Sequence, residues 1–256
     1  AGDIVIDDRL FSGKLVGEIV SPIVINQNVI DVLVTPGAVG EQATVELIPA
    51  IAPWTIDIDI ETVAAGAEFT ITDPKSATDV SMSITGAIAA DAAARLKVGV
   101  FKDPATFART AFIEALQRAG VAVTADPLAV NSTAALAELA AVEALPSVAE
   151  LESLPLAEEV TYVMKVSYNR GAQTLICRLA VTAGASDCNA GIPVAGEIWR
   201  EAGLKTLDTV IIDGSGLDGN YITAQNAVNV QRIMAERPDA DRWRATMPIL
   251  GVDGSL

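Results

Sequence analysis

Histidine is absent from all 256 residues. Its absence excludes Ser-His-Asp and Cys-His mechanisms and any imidazole ligation of a metal. The two cysteines alone cannot complete a four-ligand zinc site, so no metal and no cofactor is expected. Any nucleophilic chemistry must take its base from Lys, Asp, Glu or Tyr. Aromatic residues make up only 4%, so a core has to be built mainly from Val, Ile, Leu and Ala. Basic residues are outnumbered 17 to 33 by acidic ones, which leaves a net charge of -16. A surface this acidic repels phosphate backbones and anionic headgroups, so no nucleic acid is expected as a partner. No stretch of about 18 apolar residues occurs, and no transmembrane segment is expected. The opening AGDIVID reads as a strand inside a domain rather than as a signal peptide.

What is present suits a folded protein. Apolar residues make up 51% and charged residues 20%, and the length allows one large domain or two smaller ones. Val- and Ile-rich runs at 3–6 and 22–34 predict strands. WTIDIDIETV (54–63) alternates, with Ile56, Ile58 and Ile60 on one face and Asp57, Asp59 and Glu61 on the other. EFTITD (68–73) and DVSMSITGAI (79–88) continue that pattern, which predicts a small all-β module over about 40–90. Asp103 and Pro104 open a predicted helix over about 104–119, with Phe107, Ala111, Leu116 and Ala119 as its apolar face and Gly120 at its end. VAVT (121–124) predicts a strand, and the Ala- and Glu-rich 125–150 fits no single element. From Leu156 the spacing turns helical, through LAEEVTYVMKVS, RGAQTLICRLAVTAG and NAGIPVAGEIWREAG. DTVIID (208–213) predicts a strand, and Thr223 caps a helix over 223–236. The change near 155 is the expected domain boundary.

Three features invite chemistry. Gly214-Ser215-Gly216-Leu217-Asp218-Gly219 matches the dinucleotide fingerprint G-x-G-x-x-G. Too little chain follows for further β-α-β units, so the glycines are read as serving a tight turn. A nucleophile elbow at Ser215 is also rejected, because Asp213 stands where glycine belongs and no histidine can act as base. Ser167-Tyr168-Asn169 falls between two helical stretches, where residues two apart can face one cleft; Ser and Asn are equally good helix caps. Cys177 and Cys188, 11 positions apart, are either a disulfide across a GASD turn or two buried thiols.

Several segments taken in order resemble one family. VMKVSYNRGAQTLICRLA resembles the S-x-N region of the class C low-molecular-mass penicillin-binding proteins, the D-alanyl-D-alanine carboxypeptidases and endopeptidases. Asp213-Gly214-Ser215-Gly216-Leu217 resembles their D-G-S-G-L segment, and PILGVDGSL (248–256) their P-x-x-G-x-D-G-[ST]-L segment. DIVIDDRLFSG and SPIVINQNVIDV resemble their strand carrying G-x-[IV]-x-[IV]-D and the stretch after it, and the helix ATFARTAFIEALQRAGV lies in the corresponding place.

The resemblance implies an α+β chain: part of a penicilloyl-serine-transferase domain of the β-lactamase/transpeptidase type, interrupted by β-rich inserts. Residues 1–155 would be the inserted part, and 156–256 a partial, largely helical catalytic domain. It implies cleavage of the terminal D-Ala-D-Ala bond, or of cross-links, in peptidoglycan peptides through an acyl-enzyme, with β-lactams acylating the same serine. Ser167 would shuttle a proton and Asn169 would bind the substrate amide. Asp213, Gly214, Ser215 and Gly216 would support the cleft. It favours the disulfide, and a periplasmic or extracellular location.

Two departures stand out. No Ser is followed three residues later by Lys, and Lys205-Thr206 is followed by Leu207, so S-x-x-K and K-T-G are both absent. They are expected upstream of Ala1 and downstream of Leu256, which leaves this polypeptide inactive alone. After Phe11-Ser12-Gly13, Lys14-Leu15-Val16-Gly17-Glu18-Ile19-Val20 lacks the family's Trp/Pro-rich loop, which affects recognition of the stem-peptide side chain. The competing reading is a non-catalytic, β-rich wall-associated module or a catalytically dead relative.

Overall fold

A computed structural model describes residues 3–52, 54–78 and 81–255, with 76–78 described by backbone alone. Ala1, Gly2, Asp79, Val80 and Leu256, which belong to segments read above, lie outside the described residues. In chain order the elements are β1 (Lys14–Leu15), β2 (Glu18–Ile19), β3 (Val29–Thr35), β4 (Thr44–Ile48), β5 (Thr55–Val63), β6 (Lys75–Thr78), β7 (Ser81–Ala89), β8 (Arg95–Val100), α1 (Pro104–Arg118), α2 (Leu139–Glu143), α3 (Leu156–Lys165), α4 (Asn169–Thr182), α5 (Gly191–Glu201), β9 (Thr209–Val210), β10 (Tyr221–Ile222), α6 (Ala224–Ala235) and α7 (Ala240–Thr246). They form two compact units. One holds the chain up to Asp7 and Ile23–Ala135; the other holds Asp8–Pro22 and the chain from Leu136 onward.

The first unit is built on two three-stranded sheets, β4-β3-β8 and β5-β7-β6. β5 and β7 run parallel from Thr55↔Ser81 to Val63↔Ala89, while the other pairings in these sheets are antiparallel. On β5 the alternation is visible in burial: Ile60 is fully buried, and Asp57, Asp59 and Glu61 face water. Ile30, Val32, Val34, Met82, Ile84 and Ile88 complete an aliphatic core. Full burial of each such side chain is worth roughly 1.5–3 kcal/mol before conformational entropy is set against it. Three aromatics of this unit cluster: Phe101 and Phe107 stack with centroids 3.8 Å apart, and Trp54 meets them edge-on at 5.3 and 5.9 Å.

α1 opens as its sequence requires, with the Asp103 carboxylate accepting from Thr106 N–H at 3.0 Å and Pro104 in the first turn. Its buried surface differs from the expected face. Pro104 through Thr110 are all buried, together with Ile113, whereas Ala111 and Leu116 are half-buried and Ala119 is exposed. The cause is polar stitching around the first two turns. The buried Arg109 guanidinium donates to the carbonyls of Ile4 (2.7 Å), Asp126 (2.7 Å) and Ala129 (3.0 Å) and to the Asp3 carboxylate (2.7 Å). Thr110 Oγ1 donates to the Pro127 carbonyl, and Asn131 pairs both ways with the backbone of Ile6.

That stitching also explains why 3–6 is not a strand. Its backbone groups are taken by side chains instead of a neighbouring strand. The same substitution shortens the predicted 208–213 strand to Thr209–Val210, because Ile212 N–H donates to Asn220 Oδ1 at 2.9 Å. In 22–34 the strand begins only at Val29, after Asn26, Gln27 and Asn28 adopt left-handed φ of 46°, 57° and 54°. VAVT (121–124) is a loop.

In the second unit α4 packs on α5 at very close range. A β-carbon at Gly191 would lie 1.9 Å from the Ile176 carbonyl oxygen, so only glycine lets the two backbones meet there. A disulfide joins Cys177 to Cys188 in a core with Phe11, Leu15, Val20 and Ile176, and both cysteines are fully buried. This anchors α4, whose N-terminus begins the cleft described next.

Candidate active site

α3 ends at Lys165 and α4 starts at Asn169, with Ser167 in the gap. Ser167 adopts φ of 56°, a left-handed conformation that costs a residue bearing a β-carbon roughly 1–2 kcal/mol. The break is fixed by backbone bonds: Tyr168 N–H donates to the Val163 carbonyl at 2.9 Å, and Asn169 N–H to the Ser167 carbonyl at 3.0 Å. The Tyr168 ring meets Tyr162 edge-on at 5.4 Å and lies over Gly171, where a β-carbon would come within 2.5 Å of it. Burial pushes the Tyr168 phenol above its ordinary pKa.

Ser167 and Asn169 are not spent on capping. The residue at the cap of α4 is Tyr168, and its side chain makes no capping bond to the helix's first amides. Among the described residues neither the Ser167 hydroxyl nor the Asn169 carboxamide has a hydrogen-bond partner. Both line a cleft of about 340 Å³ whose walls also include Val163, Tyr168, Gly214, Ser215, Pro248 and Ser255. Residues far apart in sequence therefore converge on one cavity. None of the side chains lining it carries a formal charge, although the chain as a whole carries -16.

The second wall is the turn at 213–216. Asp213 is buried, and its carboxylate accepts from Ser215 Oγ (2.6 Å), Ser215 N–H (3.1 Å), Gly216 N–H (3.0 Å), Asn220 Nδ2 (2.7 Å) and Gln173 Nε2 (3.1 Å). Burial acts to raise its pKa, but the hydrogen bonds from Ser215, Gly216, Asn220 and Gln173 outweigh that and hold it below the usual aspartate value. Ser215 Oγ is committed to Asp213. Gly214 rests directly on α4, where a β-carbon would lie 2.3 Å from the Ala172 carbonyl oxygen.

The third wall is the segment after α7. Lys165 Nζ donates to the Met247 carbonyl (2.7 Å) and to Asp253 Oδ2 (2.6 Å), and Ser255 N–H donates to the Lys165 carbonyl (2.9 Å). Asp253 Oδ1 accepts from Ile249 N–H at 2.8 Å, which closes the segment into a loop.

Of the residues singled out from sequence, Ser167, Asn169, Gly214 and Ser215 share the cleft. Asp213 lies buried beneath its wall, and Gly216 faces an adjoining hollow beside Thr209 and Tyr221. Cys177 and Cys188 stand apart in the core. Gln173 and Lys165 were not singled out. Gln173 had a signal: it is four residues beyond Asn169 and on the same helical face as Cys177, where a polar residue is unusual. Among the described residues no cluster of three or more Asp, Glu or Cys could hold a metal ion.

Residues 10–256 match the D-Ala-D-Ala carboxypeptidase 3 (S13) family. The chain belongs to that family. It is 33% identical over 225 residues to a D-alanyl-D-alanine carboxypeptidase of Actinomadura sp. (strain R39), a match that covers 87% of this chain and 41% of the relative. Two structures of penicillin binding protein 4 from Haemophilus influenzae share the fold of this S13-family chain at 18% identity. One, without a stated ligand, superposes with a TM-score of 0.77 over 99% of this chain and 58% of its own. The other, complexed with a novel β-lactam, gives 0.70 over 99% and 56%. The chain thus spans about two fifths of the curated relative and little more than half of the structural neighbours. The chain holds part of the penicilloyl-serine-transferase fold of those structures, in mixed α+β form.

Proposed function

We propose that this chain is the S-x-N-bearing portion of a serine-type D-Ala-D-Ala carboxypeptidase or endopeptidase that acts on peptidoglycan stem peptides in the cell envelope and is acylated by β-lactams. In this reading an S-x-x-K elsewhere in the whole protein supplies the nucleophile and its base, and K-T-G supplies the strand for the terminal carboxylate. Ser167 passes the nucleophile's proton to the departing D-Ala nitrogen as the ester bond forms and the amide bond breaks. A hydroxyl suits this relay because it donates and accepts at once. Asn169 binds the substrate amide. The turn at 213–216 and the loop 247–255 hold the cleft open around them.

The observation that carries the reading is the pair of unspent polar side chains. Ser167 is held in a costly backbone conformation, and neither it nor Asn169 serves the helix it begins. Strain that persists without a local structural use is typical of functional positions. The test is release of D-Ala from a D-Ala-D-Ala-terminated peptide by the full-length protein. Release is expected, with Ser167→Ala lowering kcat about 10²–10⁴-fold and Asn169→Ala raising KM. No release by a folded full-length protein would favour the wall-associated, non-catalytic reading instead.

A further inference from the structure

We propose that Gln173 is a positioning residue for the reaction at this cleft, locking the 213–216 turn onto the helix that carries Asn169. The inference rests on the functional reading above and adds a residue to it.

Gln173 is 2% exposed and sits one helical turn below Asn169 on α4. Its side-chain hydrogen bonds go to the opposite wall. Its Oε1 accepts from Gly214 N–H at 3.0 Å, and its Nε2 donates to Asp213 Oδ2 at 3.1 Å and lies 3.4 Å from Ser215 Oγ. One carboxamide therefore satisfies a backbone donor and a carboxylate in adjacent residues of the turn. Gly214 is pressed against the Ala172 carbonyl, so the turn meets α4 backbone to backbone beside this side chain. Together with that contact, the bonds of Gln173 hold Gly214 and Ser215 at a set distance from Asn169 across the cleft. An error of about 1 Å between groups that must embrace a reacting amide costs on the order of 10²-fold in rate.

The amide form matters as well. Asp213 is the ionisable group in this network, and the nearby charge on the same helix, Arg170, is turned to the Ile19 carbonyl. With glutamine, the lock needs no proton. With glutamate in its place, two carboxylates would meet at hydrogen-bond distance and hold together only when they share a proton.

The experiment uses the full-length protein, with the acylation rate by a fluorescent penicillin followed from pH 5 to 9. Thermal melts serve as the folding control for each variant. Gln173→Met should melt cooperatively and acylate roughly 10–100-fold more slowly at every pH. Gln173→Glu should approach the unsubstituted rate at the acid end and fall toward the Gln173→Met rate as pH rises, a limb absent from the unsubstituted protein. Folded variants with unsubstituted rates and an unchanged pH profile would overturn the positioning role. A Gln173→Glu protein as slow at pH 5 as at pH 9 would also overturn it. If the unsubstituted protein is not acylated, the functional reading itself fails, and the positioning role falls with it.

Discussion

Lys165 Nζ lies 2.6 Å from Asp253 Oδ2, although 88 positions separate the two residues in sequence. With the Ser255 N–H bond to the Lys165 carbonyl, this contact pins the loop 247–255 beside Ser167. Gly254 is part of the same junction: a β-carbon there would lie 2.5 Å from the Lys165 carbonyl oxygen. Asp253→Asn should leave the helices intact and loosen only the loop. Hydrogen exchange should quicken at Ile249 and Ser255 and stay unchanged along α4. Uniform quickening across the unit would contradict a local pin.

Asp213 should make the second unit sensitive to acid. Its carboxyl titrates below the unfolded value, because hydrogen bonds outweigh burial. A group depressed in this way contributes stability that is fully present above its unfolded pKa and is lost as pH falls through its folded pKa. Melting temperature should therefore decline below about pH 4, and less steeply in Asp213→Asn, which also loses stability at neutral pH. Parallel acid limbs for the two proteins would refute the assignment.

Two glycines of α5 should respond with opposite sign. Gly191→Ala drives a β-carbon to 1.9 Å from the Ile176 carbonyl oxygen and should destabilise by about 1–3 kcal/mol or more. Gly196 has nothing within 4 Å of an added β-carbon, so Gly196→Ala should stabilise by about 0.5–1 kcal/mol through helix propensity. Urea unfolding of both variants measures the difference. Equal and small effects would mean that α4 and α5 do not touch where the structure places them.

Removing the disulfide should weaken the base of α4 without abolishing the cleft. Cys177 and Cys188 are 11 residues apart, and a loop of that size is worth about 2–3 kcal/mol in chain entropy. The double change Cys177→Ala, Cys188→Ala should lower stability by that amount. Because both sulfurs are buried, the native protein should resist mild reductant for as long as it stays folded.

How much of this was legible in the sequence depended on which groups satisfied the backbone. Strands that pair with strands were visible, as in β5 with its alternating Ile and Asp. Segments whose amides are satisfied by side chains carry the same apolar signal without being strands. Ile6 bonding to Asn131, 125 positions away, and Ile212 to Asn220 are such cases. Helix caps at Asp103 and Thr223 were legible because capping is local. The Ser167 break was visible as a gap between helical spacings, and its partners at 213–216 and 248–255 through family resemblance alone. Gln173 and Lys165 escaped because their roles exist only once those distant segments have folded against α3 and α4.

In the proposed reaction Ser167 and Asn169 serve a serine nucleophile of an S-x-x-K that these 256 residues do not contain. Intact-mass measurement after incubation with a penicillin tests it most directly, on this polypeptide alone and on the full-length protein with and without Ser167→Ala. The expected result is no adduct on the 256 residues alone, one adduct per full-length chain on the serine of its S-x-x-K, and much slower formation in Ser167→Ala. An adduct on the short polypeptide, or a full-length adduct formed equally fast without the Ser167 hydroxyl, would overturn these roles.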